Sequence, residues 1–261
     1  MRFRTPAIVG ALALGLIGTA SSSAQTGPDP GSHLVSRAVF ALAAPHGAHA
    51  QRETQPLPNP AFAGYSTAGS GVTVMVARFK VPGVACAKPE TAIGPGAFLL
   101  TGPRDRVSFN AANIIVGCYR GTATAQEAID VDGVEFDYVR PVQPGDTIVA
   151  RLTDTPGGQI VVQLRNLNPR RRFALRRTGR GSTPQSALAG DWASIDAKSQ
   201  SQLAPPDFEP TTFRGVSVDG HPIGSLSPTG YNMANSSQAL QIATSPLRGP
   251  ARDTFTCTRG A

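Results

Sequence analysis

The chain has 261 residues, 40% of them hydrophobic and 16% charged, with 28 glycines and 23 prolines. The apolar fraction supports a sizeable core and excludes a disordered chain, while the glycines and prolines suit a sandwich with many turns. The formal net charge of +7 favours acidic partners without choosing among nucleic acid, anionic polymer and membrane surface.

Arg2 and Arg4 precede an apolar run over 7–17, and Ser22-Ser23-Ala24 follows before Gln25. A charged start, a short apolar run and a small-residue cleavage site predict a secretory signal peptide over 1–24, and so an exported protein. The run is too short and too rich in Gly and Ala for a membrane span. No transmembrane segment is expected elsewhere. A second signal-like unit covers 37–50. Residues 25–60 therefore read as a prosegment or linker, with the mature start near Gln25 or Gln51. Residues 61–261 are expected to form one β-sandwich domain. In an exported chain, Cys86, Cys118 and Cys257 predict one disulfide and one leftover thiol. Spacing alone does not choose the pair. Cys86 with Cys118 is preferred, because both lie in neighbouring parts of the N-terminal half.

Residues 72–82 read as a strand closed by Pro82, which cannot donate to a ladder. Residues 97–100 form a short apolar strand and 104–108 a polar turn. Residues 111–118 are a continuous apolar run, the mark of a buried strand. Residues 122–130 and 134–139 flank Asp132-Gly133, a hairpin turn sequence. Along 147–153, Ile148, Ala150 and Leu152 alternate with Val149 and Arg151. Along 159–166, Ile160, Val162 and Leu164 alternate with Val161, Gln163 and Arg165. Pro144-Gly145-Asp146, Pro156-Gly157-Gly158 and Asn168-Pro169 bound these runs. Period-two alternation between such turns predicts antiparallel strands with one face on a core. Further strands are expected over 211–218, 239–243 and 253–257. The pattern predicts an all-β protein, two packed antiparallel sheets.

The order of motifs resembles the glutamic peptidases, the eqolisin family, from about residue 63 to residue 255. Ala63-Gly64-Tyr65 resembles the family's Trp-Ala-Gly-Tyr opening. Residues 76–82 resemble its Val-x-Ala-x-Trp-x-Val-Pro, with Phe79 in place of Trp. Residues 112–118, followed by 121–124, resemble the strand that carries the catalytic Gln and leads to a Cys. Residues 142–148 are similar to its Val-x-Pro-Gly-Asp-x-Ile. Residues 243–247, with Phe255-Thr256, resemble the C-terminal strand pair. The resemblance implies a concanavalin-like jelly-roll sandwich and a secreted, acid-acting endopeptidase (a hydrolase). In that family a protonated Glu serves as acid and base on a water, and a Gln amide polarises the water and stabilises the oxyanion. Here the Gln position falls on Ala111. The Glu position, three after the single Trp192, falls on Ile195. Neither side chain can do the work. Asp196 is the nearest carboxyl, one residue on, and Asn113 or Asn110 the nearest amide. A one-residue slip on a strand reverses the face, so Asp196 requires a local irregularity.

Other constellations are thinner. Three of the four histidines, His33, His46 and His49, fall before residue 61, and His221 sits in an Asp-Gly-His-Pro turn. That argues against a His-rich zinc site or a Ser-His-Asp triad. Asp130, Asp132, Glu135 and Asp137 resemble a cation site and straddle a hairpin. Asp132-Gly133 is explained by turn chemistry alone, and calcium would need further oxygen ligands from elsewhere. No metal and no cofactor are expected. Trp192 and Phe208, with Phe213 and Tyr231, are candidate substrate contacts on the concave face of such a sandwich. Arg170, Arg171, Arg172, Arg176 and Arg177 form one dense run on a return hairpin. They read as an anion-binding strip for polymer or cell surface, or as a charged edge that discourages aggregation. No aromatics interleave with them, so specific nucleic-acid binding is not expected. The expected protein is a monomeric, secreted, glutamic-endopeptidase-like sandwich with weakened or lost activity toward protein or peptide. The alternatives are a peptide- or glycan-binding module, or an envelope-associated structural protein.

Overall fold

A computed structural model describes residues 34–35, 56–69, 71–87, 90–101, 108–132, 134–138, 142–180, 184–196 and 202–260. The leader expected over 1–24 lies outside them, as do most of residues 25–55. The described strands are β1 (Leu34–Val35), β2 (Leu57–Asn59), β3 (Phe62–Ala68), β4 (Val74–Lys80) and β5 (Val84–Ala85). Three long strands follow, β6 (Glu90–Thr101), β7 (Ser108–Tyr119) and β8 (Thr122–Val131), and then β9 (Val134–Tyr138). The meander read from alternation is β10 (Thr147–Asp154), β11 (Gln159–Asn166) and β12 (Phe173–Arg180). The C-terminal part holds β13 (Pro184–Ala193), β14 (Ile195–Asp196), β15 (Asp207–Phe208), β16 (Thr211–Val218) and β17 (His221–Pro222). It ends with β18 (Thr229–Ala234), β19 (Leu240–Thr244) and β20 (Phe255–Arg259). A single 3-10 turn, Ile223–Ser225, is the one helical element among the described residues. No helix among them is long and apolar enough to cross a membrane.

Apart from the two-stranded pairs β1-β14 and β5-β15, the strands form a sheet that folds back on itself. Its order is β12-β11-β10-β4-β16-β20-β19-β18-β3-β13-β6-β7-β8-β9. The half from β12 to β20 packs on the half from β3 to β9, and β18 and β19 make the connection. Alternation decides what lies between the layers. Met75, Ala77 and Phe79 on β4, Ile148, Ala150 and Leu152 on β10, and Ile160, Val162 and Leu164 on β11 point inward. They meet Ala97 and Leu99 on β6, Ala112, Ile114 and Val116 on β7, and Ile129 and Val131 on β8. Each large side chain removed from water here contributes about 2 kcal/mol.

The Pro-Gly-Asp turn does more than reverse the chain. Gly145 takes φ 85°, which suits a residue without Cβ. Asp146 turns back beneath it, 1% exposed. It accepts hydrogen bonds from Asn166 Nδ2 (2.9 Å), Asn168 Nδ2 (2.6 Å) and the Gln143 N–H (3.2 Å). Arg171 completes the ring with Nε at 2.9 Å and an amino nitrogen at 2.6 Å. The turn between β9 and β10 is thereby tied to the turn between β11 and β12.

Cys86 and Cys118 form a disulfide, with Cα atoms 5.5 Å apart across a sequence separation of 32. Closing a loop of that size restricts the unfolded chain, which stabilises the fold by about 3 kcal/mol. Cys86→Ser is therefore expected to lower the unfolding free energy by about that amount in urea titrations, with Cys257 unaffected because it is buried.

Several strand assignments differ from the sequence expectation, β3 and β18 among them. β6 begins at Glu90 rather than Ala97, and runs through Gly94-Pro95-Gly96. That tripeptide reads locally as a turn, but β13 and β7 hold it extended from either side. β13 occupies a stretch that lacks alternation, because both of its faces are buried. Residues 57–59, read as linker, pair in parallel with β18.

Candidate functional site

The outer face of the second layer collects the residues that composition singles out. On β7, Phe109, Ala111 and Asn113 point away from the inter-layer core, because Ala112 and Ile114 point into it. Register places Ala111 between Phe98 and Asp130, and Asn113 between Gly96 and Ala128. On β13, Trp192 lies opposite Gly94 and Phe62, and Gly190 opposite Gly96 and Gly64. The Trp192 ring centroid is 5.5 Å from Phe62, 5.2 Å from Phe98 and 5.4 Å from Phe109. Leu188 and Tyr231 complete this buried cluster.

Glycines make the arrangement possible. Gly64, Gly190 and Gly96 form a row across β3, β13 and β6 in register with Asn113. A Cβ on Gly190 would stand 2.8 Å from the Phe62 ring. A Cβ on Gly94 would stand 2.8 Å from Asn113 Nδ2, and one on Gly96 2.6 Å from Asn113 Cβ. The aromatic ring and the amide each rest on a strip of bare backbone.

Asn113 is 1% exposed, and neither its Oδ1 nor its Nδ2 has a hydrogen-bond partner among the described residues. An unsatisfied buried polar atom costs about 1–3 kcal/mol. Asp130, also buried, stands on the same face. It lies directly across from Ala111 on one side and Glu135 on the other. It is a diagonal neighbour of Asn113, a relation that spans roughly 7–8 Å in antiparallel sheets. An amide and a carboxyl thus flank Ala111, the position to which the resemblance assigns the amide. Asp130 was legible in sequence only as part of a hairpin. No local signal distinguishes it, because its neighbours are set by the pairing of β7 with β8.

The other expected residues are dispersed. β13 stops at Ala193, Ser194 is outside any strand, and Ile195–Asp196 form a separate strand. The alternation from Trp192 therefore does not continue to Asp196. β14 pairs antiparallel with β1, Leu34 facing Asp196 and Val35 facing Ile195. The side chains of Ile195 and Asp196 lie outside the described residues. Phe208 packs in the inter-layer core and so does not join Trp192 on the outer face. Phe213 is likewise interior, stacked 4.8 Å from Phe255. Tyr231 does join Trp192. Among the expected anion-binding arginines, Arg171 is committed to Asp146. Arg177 lies 5.1 Å from the Phe136 ring and 5.2 Å from the Tyr138 ring. Arg170, Arg172 and Arg176 are exposed. Among the described residues no three His, Cys, Asp or Glu side chains are grouped to hold a metal.

Two buried carboxyls went unnoticed in the sequence, Glu127 and Asp191, both 0% exposed. Asp191 alternates with Trp192 and so points between the layers, 0% exposed, with both oxygens lacking hydrogen-bond partners by geometry among the described residues. Thr211 and Cys257, both 0% exposed, stand beside it. Burial pushes the Asp191 carboxyl well above its ordinary range, and the nearby Thr211 hydroxyl and Cys257 thiol only partly oppose this. Burial, and after it the Asp191 charge, raises the Cys257 thiol. Cys257 is accordingly a protonated core residue rather than a nucleophile.

No protein-family profile matches this chain. No curated protein matches it at a significant level. Solved structures do. Two of scytalido-glutamic peptidase with transition-state analogues bound match with a TM-score of 0.61 at 15% and 16% identity. Each comparison covers 77% of this chain and 98% of the other. SCP-B, a member of the eqolisin family of peptidases in complex with a tripeptide, matches with a TM-score of 0.59 at 15% identity over the same shares. At such identities the likeness speaks to architecture, and the architecture is the β-sandwich of the glutamic peptidases.

Proposed function

We propose that this chain is a secreted, glutamic-peptidase-like sandwich that receives an extended peptide on the outer face of its second layer, with peptidase activity weakened or lost. The unsatisfied Asn113 amide beside Trp192 carries the reading. A buried amide without partners is retained at a cost, and a peptide backbone that reached it would supply both the acceptor and the donor it lacks. With Asn113 1% and Trp192 2% exposed, binding requires this face to open. The pairing of Leu34–Val35 on Ile195–Asp196 supports the mode of binding, since an extended segment already adds to the strand that follows Trp192. The loss of activity rests on Ala111 and Ile195. Neither a methyl nor a sec-butyl group orients a water or carries a proton.

Residual hydrolysis is the second reading, favoured by the position of Asp130. A carboxyl protonated in acid and an amide one diagonal away are the two groups such a reaction uses, and Asp196 is the other candidate acid.

Trp192 is the only tryptophan, so its emission reports on this face. Titrating the full chain with unstructured peptides is expected to shift that emission saturably. Asn113→Ala is expected to weaken the affinity about tenfold, the loss of one or two buried hydrogen bonds. Incubation with an unfolded protein substrate from about pH 2 to pH 8, the range over which carboxyls change state, is expected to give no cleavage. Cleavage in acid that Asn113→Ala and either Asp130→Asn or Asp196→Asn abolish would establish a working enzyme. A Trp192 signal unmoved by every peptide would overturn the binding reading.

A further inference from the structure

The outer face of the first layer takes no part in the peptide site. Its residues are the ones that alternate with the core positions of β4, β10, β11, β12 and β16. Register sets Arg165 on β11 opposite Val149 on β10, Val149 opposite Arg78 on β4, and Arg78 opposite Arg214 on β16. In the next row Arg176 on β12 lies opposite Gln163, and Gln163 opposite Arg151. Lys80 extends β4 on the same side. These six cations are exposed. No carboxylate occupies an outward position on the five strands, and among the described residues none of the six is in a salt bridge. With strands about 4.8 Å apart, the charges spread over about 20 Å.

Edge protection does not account for this array. A charged edge strand discourages pairing with another sheet, and β12 alone is that edge. Arg78 and Arg214 sit on β4 and β16, each paired on both sides. Their direct opposition is destabilising without an anion between them. The remaining outward positions are chiefly Thr, Gln and Val, with no aromatic, Leu or Ile. Nucleic-acid bases would find nothing to stack on, and a bilayer would receive no inserting side chain. Thr147, Gln163, Thr178 and Thr212 offer hydrogen bonds to hydroxyl groups. The Cys86–Cys118 disulfide suits an oxidising compartment, where acidic polysaccharides are the common polyanions.

We propose that this face docks a linear acidic polysaccharide, its carboxylates or sulfates lying along the rows Arg165–Arg78–Arg214 and Arg176–Arg151 and its hydroxyls meeting the intervening Thr and Gln side chains. The surface is separate from the Trp192 face, so the two bind independently.

The test titrates the full chain with polygalacturonate and with heparin, using neutral dextran, duplex DNA and phosphatidylglycerol vesicles as comparisons. At least one acidic polysaccharide is expected to bind, with affinity falling as salt rises. Arg78→Gln/Arg165→Gln/Arg214→Gln is expected to lower that affinity about tenfold or more, three exposed charge contacts together. Removing as much charge elsewhere, by Arg120→Gln/Arg248→Gln/Arg259→Gln, is expected to change it less than about twofold, a loss confined to long-range attraction. Unchanged circular dichroism, with melting no lower than that of the parent chain, would show that both variants fold, as expected for exposed positions. Equal losses from the two triple variants would overturn the proposal. So would no polysaccharide binding at about 150 mM salt, where surface charges are largely screened, or tighter binding to duplex DNA or vesicles than to either polysaccharide.

Discussion

Asp191→Asn is expected to make the protein more stable at neutral pH and to flatten its stability above pH 4. The physical cause is the wholly buried Asp191 carboxyl, which burial holds protonated well above its ordinary value of 3.8. In the unfolded chain the same group ionises near 3.8, so above that pH folding must take up a proton. A raised folded pKa contributes stability that is fully present below the unfolded value and is lost as pH rises through the folded one. The loss proceeds at about 1.4 kcal/mol per pH unit. The neutral amide of Asn carries no such proton. Urea titrations at one-unit steps from pH 3 to pH 8 would show the parent chain losing stability relative to the variant as pH rises above about 4. Parallel lines would mean that Asp191 ionises in the folded state, and that the carboxyl is reached by water.

Asp146→Ala is expected to cost about 3–4 kcal/mol, the penalty for removing one partner of a buried, hydrogen-bonded charge pair. Asn166, Asn168 and the Gln143 N–H would lose their acceptor together with Arg171. Burial by itself would raise the Asp146 carboxyl. The bonds from Arg171, Asn166, Asn168 and Gln143 outweigh it and hold the group at about 2. The sign is opposite to that of Asp191. A depressed folded pKa stabilises above the unfolded value of 3.8, and the contribution disappears as pH falls from there through 2. It amounts to about 2 kcal/mol, allowing for screening around the partly exposed Arg171. Of these two carboxyls, Asp191 erodes stability above about pH 4 and Asp146 below it. Asp146→Ala should remove the acid limb of that profile while lowering the whole of it. Retention of the acid limb in the variant would assign it to other carboxyls.

The sequence by itself determined the meander and its faces. Ile148, Ala150 and Leu152, and Ile160, Val162 and Leu164, alternate with period two, and that period requires no partner to be read. Pro144-Gly145 and Pro156-Gly157-Gly158 mark the turns through backbone restrictions that are equally local. The β-sandwich class followed from them, and the motif order pointed to the glutamic-peptidase architecture. The same alternation, taken along β12, separated Leu175 from Arg176. What each charge touches was beyond it. Arg171 and Arg176 read alike in a run of arginines. Yet one closes on the buried Asp146 through a turn 25 residues away in sequence, and the other stands on an open sheet face. Tertiary structure alone decided the candidate site. Gly94-Pro95-Gly96 spells a turn until β7 and β13 hold it straight, and only then do its bare glycines admit the Asn113 amide. Asp191 and Trp192 are adjacent in the chain and point to opposite faces, one between the layers and one into the buried aromatic cluster on the far side of the second layer. Alternation determines that they differ. Which of them enters the space between the layers depends on the strands that come to lie on either side.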